Sequence, residues 1–251
     1  MRGSVDLNSD LGEGAGTDAA IMPLITSANI ACGGHAGNES TMRSGVELAM
    51  RNKVAVGAHP GYPDRERFGR VALDMPASEL SEAVRRQIDA ILGIASRLGA
   101  RLSHVKAHGA LYNQAERDAA VARTILMGIQ AASGGSDLVV FAPPGSAMHT
   151  EAEGLGMHVA REGFIDRAYE PDGTLRPRTL AGALITDPAA AAAQALSFVR
   201  DGGTRATDGT FLELEVDTLC VHGDTPGAPE IVRAVREAFA AAKVKVAPFR
   251  A

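Results

Sequence analysis

The chain has 251 residues, of which 45% are hydrophobic and 22% charged, values that are ordinary for one globular domain covering residues 1–251. A net charge of −5 argues against nucleic acid as a partner, and two cysteines without CxxC spacing predict neither a disulfide framework nor a zinc motif. No apolar run approaches about 18 residues and Met1–Asp6 has no apolar signal segment, so we expect no membrane span and a cytoplasmic location.

Short apolar runs alternate with helical patterns along the chain. The strand candidates are residues 5–8, 28–32, 54–56, 102–105, 137–142, 157–160 and 218–221, with a short extra strand at 211–216. Alternating strands and helices predict a parallel sheet. Polar residues follow nearly every strand candidate, and barrel sites draw on many strand ends. The sequence therefore predicts an α/β fold, a (β/α) barrel of about seven parallel strands.

Capping residues predict where the helices begin and end. A helix is expected from near Asn38, and Ser78 is the predicted N-cap of a long amphipathic helix that Gly99 closes. Further helices are expected at 116–132, after Asp187-Pro188, and from Pro229. The polar segment 61–74 is expected to be a loop of the kind that covers or lines a site.

Three carboxylates, those of Asp6, Asp10 and Glu13, fall within eight residues near the N-terminus. We expect Asp6 and Asn8 to lie at the end of the first strand. The glycine-rich turn that follows matches neither GxGxxG nor GxxxxGK[ST], because Thr17 follows Gly16 and no lysine comes after it. An acidic, solvated turn is the alternative interpretation.

Four histidines adjoin glycine or proline just beyond strand candidates, where backbone can approach a ligand closely. They are His35, His59, His108 and His222. A structural role is plausible for any one of them, but recurrence at four strand ends favours a shared site. Of the other three histidines, His104 and His158 fall within strand patterns and are assigned structural roles, and His149 is placed on a helix surface.

A divalent metal is one use for such a cluster. Asp6 or Asp10, together with His35 and His59, would make a hydrolytic site that polarises a carbonyl or activates water. Ligands from separate strands have no sequence signature, so nothing in the spacing selects this hypothesis.

Lys106 is two residues before His108 and shares its side of the strand, which in a barrel is the interior. A buried lysine is costly unless it meets an anion, and a substrate carboxylate or phosphate would serve. A salt bridge to Asp6 or Glu162 is the alternative. Cys32 and Cys220 are assigned as small buried fillers.

Six blocks of sequence closely resemble the LamB/YcsF family. They are residues 6–13, 27–37, 57–64, 105–113 (VKAHGALYN), 162–169 and 221–226. They run in order over nearly the whole chain. The sequence departs from the family in having Ala107 where proline is usual, and in a shortened turn after Gly14, which weakens a nucleotide role for that turn.

The resemblance implies a glycoside hydrolase/deacetylase-like barrel. The family is identified with the A subunit of bacterial 5-oxoprolinase, so the resemblance also implies ATP-dependent opening of the 5-oxoproline (pyroglutamate) lactam to glutamate, ADP and phosphate. Subunits B and C would be required as partners. ATP is then a co-substrate, with Mg²⁺ as its expected counter-ion.

Roles follow for the residues of the matching blocks and their neighbours. The expected catalytic residues are Asp10, Glu13, His59, Lys106 and His108. The expected substrate-binding residues are Asp6, Asn8, Asn29, His35, Tyr112, Arg167, Arg178, His222 and Asp224. Asp10, His35 and His59 are the possible metal ligands.

Within this scheme Lys106 and Arg167 would meet the phosphate, and Asp10, Glu13 or His59 would activate water. Two rival functions stay open. One is a metal-dependent deacetylase or amidohydrolase that acts alone, and the other is a non-catalytic subunit that only binds substrate.

Overall fold

The computed structural model describes residues 4–133 and 138–250, which form a closed β-barrel surrounded by helices. The strands are β1 (Asp6–Leu11), β2 (Ser27–Ala31), β3 (Ala55–His59), β4 (Leu102–Lys106), β5 (Val139–Ala142), β6 (Val159–Phe164), β7 (Gly203–Arg205), β8 (Phe211–Glu213) and β9 (Thr218–His222). Within the described ranges, seven parallel strands close the barrel in the order β1 to β6 and then β9. β7 and β8 form a separate antiparallel pair. The predicted barrel of about seven parallel strands is confirmed.

Helices cover the outside of the barrel. They are α1 (Asp18–Ile21), α2 (Glu39–Asn52), α3 (Ala77–Leu98), α4 (Gly109–Arg117), α5 (Ala119–Ser133), α6 (Ala147–Gly154), α7 (Pro188–Arg200) and α8 (Ala228–Ala241), with a 3-10 turn at Met22–Leu24. The apolar stripe of α3, which includes Leu80, Val84 and Ile88, is buried in the core outside the barrel wall. Each described helix is too short or too polar to cross a lipid bilayer.

Side-chain caps fix two of the helix starts that the sequence predicts. The side chain of Asn38 accepts the backbone N–H of Thr41 at the start of α2, and Asp187 does the same for Ala190 at the start of α7. The prediction of Ser78 as the N-cap of α3 is wrong. Pro76 takes that position in an extended conformation, and Ser78 lies inside the first turn.

The single helix predicted at 116–132 is also wrong, because the chain forms two helices there. α4 starts directly after His108, and Asp118 then leaves helical geometry. The Asp118 carboxylate accepts the backbone N–H groups of Ala120 and Val121, which opens α5. One acidic residue therefore ends the first helix and caps the second.

The first strand ends later than predicted. Two predicted site residues therefore lie at different positions along it. β1 begins at Asp6 and ends at Leu11, so Asp6 lies at its amino end and Asn8 in its middle. Asp10 instead occupies the carboxyl end. The reason is that β1 is polar on its inner face, so its alternation of Asp6, Asn8 and Asp10 did not indicate a buried strand.

Other strand boundaries shift by a few residues. His59, Lys106 and His222 are the last residues of β3, β4 and β9, so their side chains point from the strand ends themselves. The predicted extra strand at 211–216 is present as the shorter β8. Asp137, predicted to open the fifth strand, lies outside the described residues.

The lower interior of the barrel, near the amino ends of the strands, is built around Asp6. Its carboxylate accepts hydroxyl hydrogen bonds from Thr26 (2.6 Å), Ser27 (2.8 Å) and Thr218 (2.5 Å). Burial outweighs these bonds and raises the pKa of Asp6 to about 6. Asp6 is therefore a structural residue at the end of the barrel opposite the site, which corrects its expected role in substrate binding.

The middle of the barrel is a set of amide and imidazole hydrogen bonds. Asn29 Nδ2 donates to Asn8 Oδ1 (2.8 Å) and to Asp10 Oδ1 (2.9 Å), and Asn8 Nδ2 donates to Glu162 (3.0 Å). His104 Nε2 is 2.9 Å from Asn29 Oδ1, so this nitrogen carries the proton. Burial lowers the pKa of His104 to about 3, which keeps the ring neutral. His104 is structural, as predicted.

Above this layer, the buried ammonium of Lys106 lies between two carboxylates. Lys106 Nζ is 3.0 Å from Asp10 Oδ1, 2.9 Å from Glu162 Oε1 and 3.0 Å from Cys220 Sγ. Burial opposes the charge, but Asp10, Cys220 and Glu162 together raise the pKa of Lys106 well above its usual value. An ammonium has three protons, so these partners use its full donor capacity. The salt bridge to Glu162 is thus present, and Asp10 rather than Asp6 is the second carboxylate.

The free energy of unfolding should depend on pH through the ionisation of Asp6. Between the unfolded pKa of 3.8 and the folded pKa of about 6, only the folded state holds the proton, so the free energy of unfolding falls as pH rises. The loss amounts to about 2 kcal/mol between pH 4 and pH 7. Urea unfolding of the wild type and of Asp6→Asn across this range should show their difference changing by that amount. A difference that does not vary with pH would contradict the assignment.

The charges around Lys106 should be strongly coupled. Lys106→Met leaves two buried carboxylates without their cation and should cost about 3–5 kcal/mol of the free energy of unfolding. Glu162→Gln removes one of those charges, so the double variant Lys106→Met/Glu162→Gln should be more stable than the sum of the single effects predicts. Urea unfolding of all four proteins measures this coupling, and strictly additive effects would count against the buried pair.

Candidate active site at the barrel mouth

The carboxyl ends of the barrel strands surround a cavity of about 670 Å³, which we call the mouth cavity. All five residues predicted to be catalytic line it, namely Asp10, Glu13, His59, Lys106 and His108. Five of the predicted substrate-binding residues also line it, namely Tyr112, Arg167, Arg178, His222 and Asp224. The prediction that these side chains converge at one end of the barrel is therefore confirmed.

The remaining predicted residues lie below or behind the cavity. Asn8 and Asn29 are fully buried in the middle of the barrel, where their amides bond to Asp10 and Glu162. They position acidic groups instead of facing the cavity. His35 is also buried and does not line the cavity; it contacts the site through its bond to Glu13 and its stacking on His108.

The Glu13 carboxylate contacts three imidazoles at one side of the mouth cavity. Its Oε1 is 2.9 Å from His35 Nε2, 3.1 Å from His108 Nδ1 and 3.5 Å from His59 Nε2. Burial opposes its ionisation, but these imidazoles hold the pKa of Glu13 far below its usual range. Glu13 is therefore an anion at neutral pH, with only 6% of its side chain exposed.

Main-chain carbonyls orient two of these rings. His59 Nδ1 is 2.8 Å from the carbonyl oxygen of Lys106, and His108 Nε2 is 2.9 Å from that of Phe68. A carbonyl oxygen only accepts, so both of these nitrogens carry protons. His59 Nε2 and His108 Nδ1 are left facing each other at 3.1 Å, beside Glu13.

The loop at 61–74 packs directly onto this cluster. A Cβ on Gly61 would lie 2.7 Å from His35 Nδ1, and one on Gly69 would lie 2.8 Å from His35 Cβ, so only glycine allows this approach. Phe68, whose carbonyl binds His108, has a φ of 55°, an uncommon conformation for a bulky residue. The expectation that this segment lines the site is confirmed.

Asp10 connects the histidine cluster to Lys106. Its Oδ2 is 3.5 Å from His59 Nε2, and its Oδ1 accepts from Lys106 and Asn29. Burial opposes ionisation of Asp10, but the charges of His59 and Lys106 prevail and hold its pKa well below the usual value. In turn, burial lowers the pKa of His59, and Asp10 and Glu13 raise it to a net value above normal.

The other two imidazoles of the cluster favour the neutral form. Burial, opposed by the hydrogen bond to Glu13, lowers the pKa of His35 to about 4. Burial also lowers the pKa of His108, again against Glu13. His59 is therefore the imidazole that holds a proton most readily, and it lies between two carboxylates.

Cations form the outer rim of the mouth cavity. Arg70 is paired with Asp224, and Arg178 Nη1 is 3.6 Å from the same carboxylate, with 29% of the Arg178 side chain exposed. Arg167 is more buried and donates to the backbone carbonyls of Arg176 and Ala183. These guanidinium groups are less saturated with partners than the ammonium of Lys106.

Two sides of the rim are held by carboxylates that sequence reasoning gave no role in the site. Asp166 accepts hydrogen bonds from His222 Nδ1 (3.0 Å) and Thr225 Oγ1 (2.6 Å), which orients His222. Glu162 accepts the hydroxyl proton of Tyr112 (2.8 Å). Both acids lie in one matching block, 162–169, Glu162 on β6 and Asp166 two residues after its end, and their spacing of four residues was the available signal. Arg70 lies in a loop with several arginines, and nothing in the sequence distinguished it.

A smaller cavity of about 220 Å³ adjoins the mouth cavity and shares Tyr112 and Phe164 with it. It reaches the polar interior of the barrel at Glu162, which is already bonded to Tyr112 and Lys106. The larger cavity is the candidate site because it contains the ionised carboxylates and the imidazoles.

Two groups of side chains have donor atoms close enough to share a metal ion among the described residues. One is Glu13 with His35, His59 and His108, and the other is Asp10 with Cys220 and His222. The ligand set predicted from the sequence was Asp10, His35 and His59. In the structure Glu13 rather than Asp10 accompanies those two histidines.

Comparison with known proteins identifies the family. The LamB/YcsF family model matches residues 5–251. Two relatives carry names that describe the A subunit of 5-oxoprolinase. The one from Methylococcus capsulatus is 46% identical, covering 98% of this chain and 96% of the relative, and the one from Pyrococcus furiosus is 47% identical, covering 97% of each.

Solved structures agree. The lactam utilization protein from Thermus thermophilus superposes with a TM-score of 0.91 at 43% identity, covering 98% of this chain and 100% of that one. A family 4 carbohydrate esterase from Streptomyces lividans is 10% identical with a TM-score of 0.50, covering 99% and 94%, which shows a shared fold of the deacetylase type and nothing more. The chain belongs to the LamB/YcsF family.

Proposed function

We propose that this chain is the A subunit of an ATP-dependent 5-oxoprolinase, which hydrolyses the lactam of 5-oxoproline to L-glutamate while ATP becomes ADP and phosphate. The relatives with that name match it along nearly their whole length. The observation that carries the proposal is the pair of ionised carboxylates, Asp10 and Glu13, on either side of His59 at the mouth cavity. Subunits B and C are the proposed partners, and a reaction that consumes ATP is a cytoplasmic one.

The chemistry calls for activation of both reactants. A five-membered lactam is a stable amide, and transfer of a phosphoryl group from ATP to its oxygen makes the ring carbon open to water. Water then adds to that carbon, and the ring C–N bond breaks as the nitrogen takes up a proton, which leaves an acyl phosphate. A second water hydrolyses the acyl phosphate to the carboxylate of glutamate and free phosphate. Residues of this chain would supply the base for water and the acid for the ring nitrogen.

His59 is suited to proton transfer, because Asp10 and Glu13 raise its pKa from the value that burial alone would give. Glu13 and Asp10 remain ionised beside it and can stabilise the imidazolium that forms. The Lys106 backbone carbonyl fixes which nitrogen of His59 faces the cavity.

Lys106 has a different proposed role from the one expected from sequence. Its three protons are already shared among Asp10, Glu162 and Cys220, so holding Asp10 ionised suits it better than binding phosphate. The substrate carboxylate and the phosphoryl group are instead assigned to the rim guanidinium groups of Arg70 and Arg178. A guanidinium binds such oxyanions in a bidentate manner.

A metal-dependent amidohydrolase that acts alone is the second candidate, favoured by the grouping of Glu13 with three histidines. It differs from the first candidate in needing neither ATP nor partners. A subunit that only positions substrate is the third, and it differs in predicting that site variants change assembly or affinity without changing turnover.

Reconstitution distinguishes these functions. Glutamate release from 5-oxoproline is measured with this chain alone, with subunits B and C alone, and with all three, each with and without Mg-ATP. Turnover is expected only with all three proteins and ATP. Release by this chain alone without ATP would support the amidohydrolase, and full turnover by B and C alone would overturn the proposal.

Within the complete assembly, Glu13→Gln and His59→Gln should each lower kcat by about 10²–10⁴-fold, the range for a proton-transfer group. His158→Ala is the matched control, because His158 is exposed and precedes β6 at the opposite end of the barrel. Gel filtration should show all three variants assembling with B and C. Normal turnover in both site variants would remove this pair from the mechanism.

A further inference from the structure

We propose that His59 Nε2, His108 Nδ1 and Glu13 Oε1 are ligands for one divalent transition-metal ion, with an open position toward the mouth cavity. The proposal concerns binding by this chain itself. It does not require the lactam reaction, and it replaces the ligand set expected from the sequence. Because His59 Nδ1 is bonded to the Lys106 carbonyl, the ion and the transferable proton are alternative occupants of His59 Nε2.

The ring nitrogens carry the first argument. His59 Nδ1 and His108 Nε2 each donate a proton to a main-chain carbonyl, at 2.8 and 2.9 Å. In the neutral rings, the lone pairs are therefore on His59 Nε2 and His108 Nδ1, which are 3.1 Å apart with Glu13 beside them. Two lone pairs and a carboxylate that face one another need a shared cation.

The hydrogen bond that holds the second ring nitrogen of each histidine is also the one usually found around a metal-bound histidine. Such a ligand almost always donates its other N–H to a carbonyl, a carboxylate or water, which fixes the tautomer and the ring orientation. Phe68 supplies one of these carbonyls from a left-handed conformation. An uncommon backbone conformation is thus kept at the residue that orients His108.

Distances carry the second argument. A tetrahedral ion bound at about 2.0–2.1 Å holds its ligand atoms about 3.3–3.4 Å apart. The three separations here are 3.1 Å between the His59 and His108 nitrogens, 3.1 Å from His108 to Glu13, and 3.5 Å from His59 to Glu13. The donor atoms are already spaced as the corners of one face of such a site.

Ring orientation selects the two histidine ligands. The planes of His59 and His108 are 89° apart, so their lone pairs can converge on one point. His35 is stacked on His108, with ring centroids 3.6 Å apart and planes within 3°. Two stacked parallel rings cannot both contain the same ion in their planes. His35 is therefore a positioning residue that bonds to Glu13 at 2.9 Å.

Ligand chemistry indicates the kind of ion. Two imidazoles and one carboxylate suit Zn²⁺, Co²⁺, Ni²⁺ or Fe²⁺ better than Mg²⁺ or Ca²⁺, which prefer oxygen ligands throughout. Asp10 Oδ2, 3.5 Å from His59 Nε2, lies near the remaining side of the site. A bound ion would supply a Lewis acid for a carbonyl oxygen held in the cavity.

The test measures binding directly, without 5-oxoproline or ATP. The chain is stripped with chelator, loaded separately with Zn²⁺ and Co²⁺, passed through gel filtration and analysed for metal content. We expect one ion per chain, a rise in melting temperature on loading, and a visible spectrum of bound Co²⁺ typical of mixed nitrogen and oxygen ligands.

Variants locate the ion. His108→Gln and Glu13→Gln should each lose stoichiometric binding, whereas His35→Asn should keep one ion with about 10–100-fold weaker affinity, as for an outer-shell residue. His158→Ala should bind as the wild type does, and circular dichroism checks that every variant is folded.

Several results would overturn the proposal. One is a folded wild-type chain that retains neither ion after gel filtration, which would leave a shared proton as the cation of the cluster. Another is retention of binding in His108→Gln together with its loss in Cys220→Ala, which would place the ion at the Asp10, Cys220 and His222 group. Because no substrate is present, these results stand apart from success or failure of the lactam assay.

Discussion

The structure depends on the neutralisation of charge inside a closed barrel. Barrels of this kind are normally filled with branched apolar side chains. Here Lys106 lies between Asp10 and Glu162, and the His59 imidazole is beside Asp10. Isolated charges at such depth would be prohibitively costly, so each must have a partner. The strand order brings them together, because β1, β4 and β6 contribute to the same interior.

That charge balance links the fold to the site. Lys106 stabilises the anion of Asp10, Asp10 raises the pKa of His59, and the Lys106 carbonyl orients the same imidazole. Fully bonded polar networks of this type are rigid, because each member fixes the next. The mouth cavity therefore presents its acids and imidazoles in one arrangement, while its adaptable groups are the partly exposed arginines of the rim.

The sequence allowed the barrel and the convergence of the histidines to be predicted, because both follow from the order of apolar runs and from what comes after them. It did not allow the depth of each residue to be predicted. Asp6 and Asn8 were expected at a strand end and lie at the start and middle of β1, since a polar inner face does not resemble a buried strand. Cys220 was assigned as a filler and contacts Lys106, a pairing that depends on closure between distant strands. Within the site, Glu13 rather than Asp10 groups with His35 and His59. This depends on how far the Glu13 side chain extends beyond the end of β1, which cannot be predicted from residue spacing.

The number of hydrogen bonds that each side chain already makes determines whether it acts on its neighbours or on a ligand. A cation whose protons are all hydrogen-bonded, such as Lys106, stabilises the charges of its neighbours. An arginine with free N–H groups can instead bind a ligand. The same reasoning separates the histidines: His104 has its Nε2 proton committed to Asn29, whereas His59 and His108 each direct one uncommitted nitrogen toward Glu13. Identical side chains in one barrel thus take structural or chemical roles according to what holds their second nitrogen. The space between His59, His108 and Glu13 is bounded by two imidazole nitrogens and one carboxylate, which together favour a positive charge.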